Sequence, residues 1–360
     1  MRLVSHIYKE SNKMFYIAAI ITTLLMIIHI SSHASSQETE AHSYIMATAT
    51  PGGTFYPVGY AICAIANLNN KNNTVITAIS SAGSGENIQM LSDRQAHFAI
   101  LQGFYGALAW KGDKRITTNG PQRNLRSITM LWKNVEHFSV HSKRVPIKNI
   151  GQLVNMEKGK YRLSIGKRNS GTEASGRHIL ESIGIDNLDK YFKLSYLNYS
   201  HSAEALIDNN VDIINTPGGV PVSAVRQAFE SLDDKMRVLE INEEQLRKIN
   251  QRYPNPIWMP YEIKIEHDKT YPNQTEIIKT IAQPNFLAVH KNIDESVVYN
   301  LTKVIYENLE FLGNIHAATK SMKIDQAYKG VPFPLHPGAK RYYREHYKKN
   351  NLPIPKELKN

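Results

Sequence analysis

From residue 44 onward, short apolar runs alternate with stretches whose apolar residues recur every three or four positions, the pattern of strand followed by helix. Residues 44–49 predict a first strand. Val58, Ala61, Ile62 and Ile65 then stand at i, i+3, i+4 and i+7, one face of a helix, and Pro57 suits its first turn, where a missing N–H costs nothing. Residues 75–79 and 96–101 predict two more strands, with a short helix through Ile88 and Leu91 between them. Residues 128–132 and 137–141 are strand-like with almost no chain between them, which marks a crossing from one lobe to another. A new cycle starts at residues 161–165. Ser170, three residues before Glu173, predicts a capping box and a helix running to about Ile183. Residues 211–215 predict a buried strand, 222–229 a helix, and 286–289 a strand returning to the first lobe before further amphipathic helices. Two α/β lobes crossed twice by the chain describe a bilobed binding protein that closes over its ligand by hinge motion. The expected division is 44–133 with 285–347 for lobe 1, 134–284 for lobe 2, and a C-terminal tail at 348–360.

At 360 residues the chain is long enough for two cores. Ahead of them, Arg2, Lys9 and Lys13 precede an apolar stretch at 14–30 and then Ser32-His33-Ala34. This predicts a secretory signal at 1–34, cleaved after Ala34, and an extracytoplasmic mature protein. The competing reading is an uncleaved anchor; the stretch carries Thr22, Thr23 and His29 and is shorter than the ~20 residues of a comfortable span. The 43 Lys and Arg against 32 Asp and Glu give a formal charge of +11, but they are scattered and no nucleic-acid motif accompanies them. The densest group, Lys340 to Lys349, is interleaved with tyrosines and reads as a solvated helix or, alternatively, a polyanion-binding face. Cys63 is the single cysteine, so no intrachain disulfide forms; at an apolar helical position it reads as an inert buried thiol.

The candidate chemistry sits in small-residue loops that follow the strands: Thr50-Pro51-Gly52-Gly53-Thr54-Phe55-Tyr56, then Gly83-Ser84-Gly85-Glu86-Asn87, then Ser170-Gly171-Thr172. In an open α/β sheet, ligands lie at the carboxyl ends of strands against helix N-termini, whose N–H groups carry partial positive charge. From lobe 1 the expected ligand contacts are Gly53, Thr54, Tyr56, Gly83, Ser84 and Asn87, with Gln102 as a floor donor. From lobe 2 they are Ser170, Gly171, Thr172, Thr216 and Gly218. Such a set suits a carboxylate without an arginine. Lys167 and Arg168 bias the site toward anions if they face inward, and are solvated charge if they do not. Tyr56, Tyr196 and Tyr199 are candidate ring donors or simply core edges. The alternative for each loop is an ordinary turn or cap, for which Gly, Ser and Thr are standard.

Enzyme chemistry has little to stand on. Gly171 to Gly176 has Walker-like spacing, but Arg177-His178 replaces the Lys and Ser or Thr that grip phosphate and magnesium. Glu136, His137 and His141 lie on a strand-like segment rather than one helical face, so they read as structural rather than as metal ligands. No Gly-x-Ser-x-Gly elbow is present. No catalytic residue, metal or cofactor is expected.

The same residues resemble the TAXI family, the binding proteins of one class of tripartite ATP-independent periplasmic (TRAP) transporters. Residues Thr50 to Gly59 are similar to the family's Thr-Gly-Gly-Thr-Tyr-Tyr-Pro-Val-Gly opening. Ser81-Ala82-Gly83-Ser84-Gly85-Glu86-Asn87 matches its Ser-x-Gly-Ser-x-Glu-Asn segment, and Gly166 through Thr172 its Gly-x-x-x-Ser-Gly-Thr loop. Leu335-His336-Pro337-Gly338-Ala339 with Tyr342-Tyr343 matches its terminal pattern, and His336 to Gly338 are assigned to structure or docking. The resemblance implies a type II periplasmic-binding fold, a periplasmic, monomeric receptor without cofactor, a small carboxylate ligand (a glutamate-like acid or dicarboxylate) and delivery to TRAP permease subunits. Departures are Pro51 for a glycine, Gly103 for an acidic residue and the basic Lys167-Arg168-Asn169 run; the added charge leans toward a more anionic ligand. A different class with the same fold is a ligand-sensing or immunogenic surface protein without a transport role.

Overall fold

The alternating pattern folds into two mixed sheets, each built on a parallel core and flanked by helices. The computed structural model describes residues 42–69, 74–117, 119–252, 257–265 and 270–359. The expected signal at 1–34 lies outside these residues. Among the described residues, no helix is long and apolar enough to cross a membrane.

The first sheet takes β1 (His42–Ala47), β2 (Thr74–Ile79), β3 (Phe98–Gln102), β4 (Leu125–Val135), β10 (Met259–Ile263) and β11 (Ile278–His290). The second takes β5 (Phe138–His141), β6 (Arg162–Ser164), β7 (Lys193–Ser195), β8 (Ile213–Asn215) and β9 (Met236–Val238). Parallel β2-β1-β3 is continued by antiparallel β11, and parallel β7-β6-β8 by antiparallel β5. Each lobe therefore receives one antiparallel strand at the same place beside its parallel core. The protein has the bilobed α/β periplasmic-binding fold.

Helices α1 (Phe55–Leu68), α2 (Ser84–Ser92), α3 (Gly103–Lys111), α4 (Gly171–Ser182), α5 (Leu188–Tyr191), α6 (Tyr199–Ile207), α7 (Ser223–Leu232) and α8 (Glu243–Gln251) fill the connections, and α9 (Glu295–Glu307), α10 (Leu309–Ile315) and α11 (Pro337–Lys349) close the first lobe. Helix α1 buries Val58, Ala61, Ile62 and Ile65, the expected stripe, together with Cys63, whose thiol burial pushes up to about 12. Val58, Ile62 and Ile65 each contribute about 1.5–3 kcal/mol by leaving water. Strand β3 is buried at every position, which is why it reads as a continuous apolar run rather than an alternation.

Two expectations are corrected in detail. Ser170 caps α4 by accepting from Glu173 N (3.0 Å), but the reciprocal half of the box is missing. The Glu173 carboxylate takes Asn169 N (2.9 Å) and Arg177 Nε (3.2 Å) instead, because Asn169 is left-handed (φ 59) and Ser170 N already donates to Lys167 O. The returning strand is also far longer than residues 286–289. Buried Thr280, Gln283 and Asn285 interrupt its apolar pattern, so only its far end was readable. At the C-terminus, α11 buries Ala339, Tyr343 and Tyr347 and turns its basic residues outward, and Leu358 beyond it is fully buried. His336 caps that helix through Nδ1 accepting from Gly338 N (3.2 Å).

The crossing from β4 to β5 turns at Glu136 and His137, both fully buried. Glu136 N donates to Ile281 O of β11 (2.9 Å), and its carboxyl meets Trp258 Nε1 and Gln283 Nε2, each at 3.4 Å. His137 is held by Val135 O (2.9 Å) and the Tyr271 hydroxyl (2.8 Å), a structural histidine with both ring nitrogens occupied. Burial raises Glu136 to about 7 and lowers His137 and His178 to about 4. A carboxyl with a raised folded value keeps its proton after the unfolded chain has lost it, so its contribution falls between pH 4.5 and about 7. The two histidines oppose this by losing stability as pH drops from 6.5 toward about 4. Glu136→Gln isolates the carboxyl. Its stability relative to wild type, from urea unfolding, is expected to rise by about 3 kcal/mol between pH 4.5 and 7 and to level off above. A flat difference across that window would show that Glu136 ionises freely in the folded protein.

Candidate functional site

A cavity of ≈ 40 Å³ lies where the carboxyl ends of β1, β2, β3, β6, β7 and β8 face one another. On the scale of about 10–15 Å³ per water, it admits a molecule the size of a few waters, a small acid rather than a sugar or nucleotide. Lobe 1 lines it with Thr50, Gly53, Thr54, Gly83, Ser84 and Gln102. Lobe 2 lines it with Lys167, Ser170, Gly171 and Thr172, and with Asn198, Tyr199, Pro217 and Gly218. Asn134, on the crossing strand, completes the floor.

Two helix ends supply the donors. Ser170 accepts from Glu173 N at the start of α4, which leaves the N–H groups of Gly171 and Thr172 with no intrahelical acceptor. Gly171 stands so close to lobe 1 that a Cβ there would lie 2.6 Å from Gln102 Oε1 and 2.8 Å from Ser84 Oγ. Only glycine lets this backbone reach the cavity. At the start of α2, Gly83 is in the left-handed half of backbone space (φ 115), and Ser84 Oγ accepts from Gln102 N (3.0 Å), which keeps the Ser84 proton available to a ligand. The Tyr199 hydroxyl donates to Pro217 O (2.5 Å), so the Thr172 hydroxyl, 2.7 Å away, gives its proton to Tyr199. Thr172 therefore offers its backbone N–H rather than its side chain. Burial pushes the Tyr199 phenol well above its ordinary value, so it stays neutral.

Of the expected contacts, the structure brings Gly53, Thr54, Gly83, Ser84, Gln102, Ser170, Gly171, Thr172 and Gly218 to the cavity, and Lys167 to its exposed rim. It places Tyr56, Asn87, Thr216 and Arg168 elsewhere. The Tyr56 ring lies on Tyr60, centroids 4.5 Å apart, because the first turn of α1 points it away. Asn87 is a fastener: its Nδ2 donates to Thr48 O (2.7 Å) and Ile100 O (2.9 Å), and its Oδ1 accepts from Ser81 (2.6 Å). Thr216 is fully buried behind the cavity, its N–H on His137 O (3.0 Å). The Arg168 guanidinium stacks 3.7 Å above the Tyr196 ring, where cation–π attraction holds both outside. Asn134 and Asn198 were not anticipated. A polar residue inside the apolar run before Glu136 was the available signal for Asn134.

The lobes touch directly around the cavity. Thr54 Oγ1 donates to Gly219 O (3.1 Å) and accepts from Gly219 N (2.9 Å). Ala224 N reaches Gly52 O (3.2 Å), and Asn169 O accepts from Glu86 N (3.2 Å). Thr54 thus spends its hydroxyl on closure, although it also borders the cavity.

The sequence model described as the NMT1-like family matches residues 46–346. Among solved structures, one described as a periplasmic transporter is 14% identical, with a TM-score of 0.52 over 87% of this chain and 98% of its own. The periplasmic binding protein BugD is 12% identical, with a TM-score of 0.52 over 86% and 98%. MatC from Rhodopseudomonas palustris, solved with bound malate, is 13% identical, with a TM-score of 0.52 over 86% and 98%. At such identities these likenesses speak for the fold alone.

The Thr54 contacts predict how closure responds to mutation. Thr54→Val keeps the shape and removes both bonds to Gly219, leaving a buried N–H and C=O unpaired at about 1–3 kcal/mol. Small-angle scattering is expected to show a larger radius of gyration for this variant than for wild type. An unchanged radius would mean that closure rests on other contacts.

Proposed function

The chain belongs to the NMT1-like family, and on that premise we propose that it is an extracytoplasmic solute-binding receptor for a small organic anion. Residues 44–133 with 285–347 form one jaw and 134–284 the other, with β10 and the start of β11 pairing in the first sheet although they fall in the second range. The observation that carries the reading is the cavity itself: free N–H groups at the start of α4, a free Ser84 proton, one lysine at the rim, and no Asp or Glu among its lining residues. Partial positive charge from helix ends favours an anion there. Gly53, Thr54, Gly83, Ser84 and Gln102 hold it from one side, and Ser170, Gly171, Thr172 and Gly218 from the other. Its serines and threonines have no histidine or carboxylate lining the cavity beside them to act as base, which favours binding over turnover.

In finer terms, the motif resemblance supports a TAXI-type receptor, exported to the periplasm by the signal at 1–34 and handing its ligand to a TRAP permease. MatC, of the same fold, holds malate, and a small carboxylate is the ligand class that suits these donors.

Calorimetric titration of the refolded chain against C3 to C5 mono- and dicarboxylates is the test. Refolding removes any retained metabolite. Micromolar or tighter binding of one acid is expected, and Ser84→Ala is expected to weaken it about tenfold, the loss of one directed donor. Because Lys167 is exposed, Lys167→Ala is expected to cost only a few-fold and to flatten the salt dependence. A folded wild-type protein that binds none of the acids would sink the receptor reading.

A further inference from the structure

We propose that the ligand is a hydroxy acid rather than an amino acid, with its hydroxyl seated between Gln102 and Asn134; the proposal rests on the receptor reading above. Gln102 and Asn134 are 3% and 1% exposed, and both line the cavity. Gln102 Oε1 and Asn134 Nδ2 are buried without a hydrogen-bond partner. Asn134 Oδ1 lies 3.4 Å from Asn285 Nδ2, a long contact beside which Asn285 Oδ1 is also unpaired, and in this arrangement the Asn134 N–H₂ is the free end. The residues of the floor therefore hold one unused acceptor and one unused donor.

A hydroxyl is the substituent that satisfies both, donating to Gln102 Oε1 while accepting from Asn134 Nδ2. An ammonium group only donates and leaves the Asn134 N–H₂ unpaired. A keto oxygen only accepts and leaves Gln102 Oε1 unpaired, and a methylene leaves both. A buried polar group without a partner carries its full desolvation cost, so each mismatch discriminates.

Charge points the same way. No Asp, Glu or His is among the lining residues, so an ammonium group has no carboxylate to pair with. Its surroundings include the N-terminal ends of α2 and α4 and the rim Lys167, which carry positive charge, while the first-turn carboxylates Glu86 and Glu173 lie outside the lining. Burying a cation there, unpaired, is unfavourable. The carboxylate belongs at the N–H groups of Gly171 and Thr172.

Matched acids on one carbon skeleton read this out by calorimetry on the refolded chain: succinate, malate, aspartate and oxaloacetate; glutarate, 2-hydroxyglutarate, glutamate and 2-oxoglutarate; propionate, lactate, alanine and pyruvate. In the tightest-binding set, the hydroxy acid is expected to lead each of the others by at least about tenfold, the value of one unmet buried group. An amino, keto or unsubstituted acid that equals or exceeds it overturns the proposal while leaving the receptor reading intact. Silence across all twelve overturns both. Gln102→Leu and Asn134→Leu are each expected to bring the hydroxy-to-unsubstituted ratio to about one. A ratio that survives in both folded variants overturns the assignment of the hydroxyl to this pair.

Discussion

Strands β4 and β11 run antiparallel from Leu125 opposite His290 to Val135 opposite Ala282, and this ribbon carries the chain between the lobes. Its backbone must bend where one sheet ends and the other begins, so its central groups cannot all be paired within a ladder. Buried polar side chains take up the difference. Gln283 Oε1 receives Phe104 N (2.8 Å), Thr280 Oγ1 reaches Glu136 O (2.9 Å), and Asn285 meets Asn134. A hinge made this way is costly to leave half-satisfied, which fixes its residues as a set. The cavity floor is one face of that set.

The rest of the site follows from where parallel strands end. Each βα turn delivers a helix start to the same crevice, and glycine at 83 and 171 lets backbone donors replace the arginine that a more exposed anion site uses. The chain's net positive charge contributes little here, since of the described basic residues only Lys167 lines the cavity. Closure is driven partly by protein–protein contacts such as Thr54 with Gly219. A ligand thus adds its bonds to an interface that already has some of its own, and a weakly bonded ligand can still be enclosed.

What was legible in the sequence was whatever a period or a short loop encodes. The stripe of α1, the strand at 74–79 and the three loop positions follow from local spacing. Helix α3 escaped because it is buried nearly all round and has no polar face to set a phase. The full length of β11 escaped because hinge polarity interrupts its apolar run. Among the site residues, Asn87 and Asn134 are the instructive pair. Both are fully or almost fully buried amides, one satisfied by three protein partners and the other left with a free donor. Residue type cannot separate a fastener from a ligand contact, because the same amide serves both; only the surrounding partners decide.

The hinge and the site also constrain each other electrostatically. Glu136 is two residues from Asn134, and its charge contributes to raising the Tyr199 phenol on the cavity wall. An ionised carboxylate at that depth would oppose an anion in the cavity, because little solvent lies between them to screen it. The burial that raises Glu136 to about 7 therefore bears on the site as well as the fold: below that pH the acid behind the anion cradle is mostly neutral, and above it the carboxylate works against an anion. Burial likewise keeps His137 neutral by lowering it to about 4. With His137 uncharged and Glu136 neutral below about pH 7, the positive field in the cavity comes from the helix ends and the rim Lys167.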